Sequence, residues 1–110
     1  MKTRMERIDE LMQDGKYARV LEEIENARRD GKLALKKADF YHIAALYGSG
    51  RLEEAAREAE ALFQDSRVQD SAILQYDLAL LLRMISRARN NWDAVHRWDD
   101  LALHLRDIIG

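Results

Sequence analysis

Apolar residues recur at three- and four-residue steps along six stretches of the chain, with short polar breaks between them, and that period predicts α-helix throughout. Met5, Ile8, Leu11 and Met12 mark a first helix from about Thr3 to Gln13, ended by Gly15. Tyr17, Val20, Leu21, Ile24 and Ala27 mark a second, which stops at Gly31 after two bases, Arg28 and Arg29, that complement the negative end of the helix dipole. A third carries Leu33, Leu35, Phe40, Ile43, Ala44, Leu46 and Tyr47 and ends at Gly48-Ser49-Gly50. The fourth starts at once, with Ala55, Ala56, Ala59 and Ala61 between the bulkier Leu52, Leu62 and Phe63; the alanines are strong helix formers that let a neighbour approach closely. Gln64 to Gln69 reads as a polar loop, with Asp70 or Ser71 capping the next helix.

The fifth helix differs from the others. Between Ala72 and Ile85 apolar side chains surround nearly its whole circumference, so it has to be covered on most sides. The sixth, about Trp92 to Ile109, is amphipathic: Trp92, Val95, Trp98, Leu101, Ala102, Leu105, Ile108 and Ile109 form one stripe that covers one face of helix five, and helix four is placed to cover another.

The breaks themselves repeat. Asp14-Gly15-Lys16-Tyr17 returns as Ser49-Gly50-Arg51-Leu52, 35 residues later, and more loosely as Asn90-Asn91-Trp92-Asp93. That period belongs to two-helix repeats that stack into a right-handed array, and three hairpins are about the minimum such an array needs. The predicted fold is all-α, a single domain of three stacked antiparallel hairpins over about 3–30, 32–64 and 70–109.

The segment Leu46-Tyr47-Gly48-Ser49-Gly50-Arg51-Leu52-Glu53-Glu54-Ala55 resembles the middle of a tetratricopeptide repeat, whose helices join through a glycine turn followed by a large residue and then a small one; Gly15-Lys16-Tyr17-Ala18-Arg19-Val20 is similar. Glycine accepts the turn geometry, the large residue packs back into the hairpin, and the small one lets the helices cross closely. The chain departs from that family's pattern in having Ile8 and Ile43 where a small residue is usual and no proline after each repeat, and its third unit fits only with a turn one residue longer, which turns Leu78, Leu81, Leu82 and Ile85 inward. A compact six-helix bundle is the alternative. The resemblance implies that first helices line a concave surface, placing Met5, Asp9, Met12, Lys37, Phe40, Ala44 and Tyr47 on it, with Tyr76, Ala79 and Arg83 from helix five. Thioether chains adapt to varied shapes and rings supply area at low entropy cost, so such a groove suits capture of another protein's segment, in an adaptor or chaperone-like role.

Composition narrows the classes. The chain has no cysteine, hence no disulfide framework, thiolate nucleophile or cysteine-based zinc site. Its charged N-terminal stretch leads into an amphipathic helix, so neither a signal peptide nor a membrane span is visible and a cytoplasmic location is expected. Net charge is −2 with acids and bases interleaved, which offers nucleic acid no basic face. All five lysines fall at or before Lys37, and every later base is arginine, a residue favoured at interfaces and by codon bias alike.

Candidate chemistry is sparse. His96, Asp100 and His104 share a helix face, but the two histidines stand about 12 Å apart along the axis, too far to hold one ion, so the expectation is a solvated polar face and no metal or cofactor. There is no glycine-rich phosphate loop and no serine set with a histidine and an acid; Glu53-Glu54 suits a helix N-terminus, and His42 is expected on a helix surface or partly packed. No enzyme is expected. The competing expectation is a structural subunit that forms a homodimer through helix five and the end of helix six, with Trp92, Trp98, Leu103, Ile108 and Ile109 at the contact, because a repeat stack normally ends in a polar cap and this terminus is apolar.

Overall fold

The computed structural model describes residues 2–29, 36–68 and 71–110, with positions 36, 37 and 66–68 described as backbone only. The described residues form six helices and no strand: α1 (Arg4–Gln13), α2 (Tyr17–Arg29), α3 (Lys36–Gly48), α4 (Leu52–Val68), α5 (Ala72–Ala88) and α6 (Trp92–Ile109). The expected stop at Gly31 and the expected places of Leu33, Leu35, Gln69 and Asp70 lie outside the described residues.

Each hairpin turn closes in the same way. At the first, the Asp14 amide donates to the Glu10 carbonyl (3.0 Å), Gly15 to Met12 (3.1 Å) and Lys16 to Leu11 (2.9 Å). Ser49, Gly50 and Arg51 repeat those bonds to Ala45, Tyr47 and Leu46, and Arg89, Asn90 and Asn91 repeat them to Ile85, Arg87 and Ser86. This is the helix stop in which one residue takes the left-handed conformation and the amides around it satisfy the last carbonyls. The left-handed residues are Gly15, Gly50 and Asn90, with φ of 71°, 78° and 59°. The third turn is therefore as short as the other two, which corrects the longer turn expected from the sequence. Asparagine tolerates this region better than other side chains, so Asn90 stands for glycine. Asn91, next to it, caps α6: its side chain accepts from the Ala94 amide at 3.3 Å. At the other end of the chain Thr3 caps α1, its Oγ1 accepting from the Glu6 amide at 3.1 Å and donating to Glu6 Oε1 at 3.2 Å.

The turn register explains which faces are buried. Val20, Leu21, Ile24 and Ala27 of α2 are buried, and so are Ala55, Ala56, Ala59 and Leu62, each 35 residues later on α4. In α6 the buried stripe starts one residue sooner after the turn, at Ala94, and continues through Trp98, Ala102 and Leu105.

The chain divides into two compact units, Met1–Arg51 and Leu52–Gly110. In the first, α3 packs on both α1 and α2 around Ile8, Val20, Ile24, Ile43 and Leu46, all fully buried. In the second, α5 packs between α4 and α6. Large side chains of α5, Leu78, Leu82 and Ile85, meet helices that offer Ala55 and Ala59 on one side and Ala94 and Ala102 on the other, a large-against-small pattern that allows close approach. Each such side chain contributes about 1.5–3 kcal/mol by leaving water. Leu78, Leu81, Leu82 and Ile85 are buried as expected.

One local expectation fails, and another is sharpened. Gln64 to Val68 is helix, not loop, because polar residues without glycine or proline do not break a helix once its core-facing part is anchored by Leu62 and Phe63. His42, expected on a helix surface or partly packed, is buried, with 6% of its area exposed.

Candidate protein-binding surfaces

On the first unit, α1 and α3 carry three pairs of positions one repeat apart: Met5 and Phe40, Asp9 and Ala44, Met12 and Tyr47. All six side chains are half-buried, so each pair lies at the border between core and solvent. The side chain of Lys37 lies outside the described residues. Asp9 is not a free charge. It accepts a hydrogen bond from the Tyr41 hydroxyl, and that bond, burial and the carboxylate's charge together push the Tyr41 hydroxyl up to about 12. The pair ties α1 to α3. Two further contacts hold α3 on α2: Arg28 Nη2 donates to Asp39 Oδ1 at 2.5 Å, and His42 Nε2 lies 3.7 Å from Glu25 Oε1, an ion-pair distance when the ring is protonated.

On the second unit, Tyr76 and Arg83 are half-buried, while Ala79 is fully buried and has no exposed face to offer. Arg83 Nη1 donates to Asp99 Oδ1 at 2.6 Å, joining α5 to α6. Counted from the shared turn, the α5 positions equivalent to Phe40, Ala44 and Tyr47 are Leu80, Met84 and Arg87. Sequence reading missed these three, and the signal that finds them is Asn90, an asparagine suited to the left-handed turn position.

Among the residues expected to self-associate, Trp92, Leu103, Ile108 and Ile109 are exposed, but Trp98 is 9% exposed. Its ring meets Phe63 edge-on, with centroids 5.3 Å apart at 74°, and the Arg97 guanidinium carbon lies 5.6 Å from its centroid. Trp98 belongs to the core because α6 turns its buried stripe by one residue. Above this contact lies an open cavity of about 350 Å³ between α4 and α6, lined by Glu60, Phe63, Gln64, Arg97, Trp98 and Leu101. It was not foreseen, since its two aromatic residues sit on different helices and no spacing joins them.

Partial desolvation raises the Asp77 carboxyl, on the outward side of α5, from its ordinary value. Among the described residues no three His, Asp or Glu side chains are grouped to hold a metal ion, and no helix is long and apolar enough to cross a membrane. No protein-family model, curated protein or solved structure matches the chain.

Proposed function

We propose that this protein is a tetratricopeptide-like interaction module, without enzymatic activity, that holds an apolar or amphipathic segment of another protein on the α1–α3 face. An adaptor or chaperone-like role in the cytoplasm goes with that reading. The observation that carries it is the set of half-buried apolar side chains at repeat-equivalent positions, Met5 with Phe40 and Met12 with Tyr47. These four leave thioether and ring surface at the edge of the core, within reach of a partner segment. Methionine adapts to varied side chains, and the two aromatic rings give contact area with few rotors to freeze. The Tyr41–Asp9 hydrogen bond keeps α1 and α3 in register beneath them, so the face is held ready for a ligand.

The test is selection of binding peptides from a displayed random library, followed by fluorescence anisotropy. Phe40→Ala with Tyr47→Ala is expected to weaken a selected peptide at least about tenfold, since each lost ring removes a central anchor. Helical circular dichroism is expected to be retained, and Ile108→Ser is expected to leave binding unchanged. Equal binding by the double variant overturns the assignment of the face.

A further inference from the structure

Every large hydrophobic side chain that is exposed among the described residues lies on α5 or α6: Ile73, Met84, Trp92, Leu103, Ile108 and Ile109, each between 44% and 65% exposed. On α5 the outward residues Ile73, Asp77, Leu80, Met84 and Arg87 follow one another at steps of four, three, four and three. That is the spacing of a seam made to meet another helix. The first hairpin shows what such a face can seat. There Asp9, Glu25 and Arg28 meet α3, and the shared turn register carries those positions to Met84, Asp100 and Leu103 of the third hairpin. Two of the three polar anchors are thus replaced by exposed apolar side chains.

The two ends of the same chain type differ in what they could offer this face. The outward positions of α1, Glu6, Arg7, Glu10 and Gln13, are polar and exposed, so a head-to-tail stack would set apolar surface on charge. A two-fold pairing sets the apolar face on itself. Charge then chooses the direction. Asp77 lies toward the start of the seam and Arg87 toward its end. In antiparallel register Asp77 stands opposite Arg87 of the second copy and Leu80 opposite Met84 of the second copy, while Ile73 runs toward the start of the other α6, at its Trp92. A parallel register would oppose Asp77 to Asp77 and Arg87 to Arg87. We propose that two copies of this chain associate through the α5–α6 face, α5 against α5 in antiparallel two-fold register. Arg83 keeps its bond to Asp99 and takes no part.

The test is mass in solution by light scattering after size exclusion, over a hundredfold range of concentration. The chain of 12.8 kDa is expected to reach twice that mass at the upper end. Asp77→Arg and Arg87→Asp each bring like charges together, and each is expected to move the midpoint of association at least about tenfold higher. Their combination restores opposite charges and is expected to return the midpoint to within about threefold of the parent. Both sites are exposed, so helicity stays unchanged and folding does not confuse the reading. Because the chain has no cysteine, a mixture of Asp77→Cys and Arg87→Cys chains is expected to oxidise to the mixed disulfide in preference to either homodimer. A monomer at every concentration overturns the proposal. So does a dimer indifferent to the single reversals, or one that the double reversal fails to restore. Peptide capture on the α1–α3 face enters none of these readouts.

Discussion

Gly48 is the last helical residue of α3, and a Cβ built on it would lie 2.5 Å from Tyr17 Cε2 and 2.7 Å from Cδ2 and Cζ. Two effects oppose each other in Gly48→Ala. Alanine is the better helix former by at most about 1 kcal/mol, less at a terminal position. Overpacking costs roughly 1–3 kcal/mol, because the neighbour is a ring that must move as a body. The net expectation is a loss of about 1 kcal/mol in urea unfolding followed by circular dichroism. In a Tyr17→Ala background the obstacle is gone, and the same substitution is expected to stabilise by about 0.5–1 kcal/mol. The coupling between the two sites is then about 2 kcal/mol, well above the error of a double-mutant cycle. If Gly48→Ala stabilises the native protein, or has the same effect in both backgrounds, the packing of Tyr17 against the end of α3 is refuted.

The turns predict a second series. Gly15→Ala and Gly50→Ala meet no atom within 4 Å, so their cost is conformational alone, about 1–2 kcal/mol each, and equal costs at the two sites are expected in urea titrations. Asn90→Gly is expected to be neutral or slightly stabilising, and Asn91→Ala to lose about 1 kcal/mol with the cap of α6. Tyr41 predicts a pH dependence. Its folded value, about 12, lies above the unfolded one near 10, so its contribution is complete below pH 10 and is lost as pH rises from 10 through 12; Tyr41→Phe is expected to flatten that alkaline limb in thermal melts. Trp98→Ala removes a core ring in contact with Phe63 and is expected to cost about 3–5 kcal/mol, whereas truncation of the exposed Trp92 changes monomer stability by less than about 1 kcal/mol.

Helix existence was readable because apolar residues recur at three- and four-residue steps and each hairpin turn has a residue tolerant of the left-handed region. The limits of α6 at Trp92 and Ile109 follow directly from that pattern. What was misread has local causes. Gln64 to Val68 lacks apolar periodicity because it runs past the core, yet nothing there stops a helix. The third turn was read with the wrong asparagine: Asn90 holds the left-handed position, and Asn91 is the cap. The α5 surface positions expected from the sequence, Tyr76, Ala79 and Arg83, stand four or five residues before Leu80, Met84 and Arg87, the positions that the turn at Asn90 brings to the equivalent places. Trp98 illustrates a second limit. The α6 stripe already set it toward α5, but its edge-on contact with Phe63 of α4 is a tertiary partnership that periodicity within one helix cannot reveal.

The central claim is that the α1–α3 face receives a partner segment, and methionine-methyl NMR with a selected peptide tests it most directly. The chain has four methionines, of which Met5 and Met12 border that face and Met84 lies on the exposed seam of α5. The account predicts that titrated peptide shifts the Met5 and Met12 methyl signals at its binding midpoint and leaves Met84 in place. Shifts at Met84 with none at Met5 or Met12 would contradict it and move the binding site to the second unit.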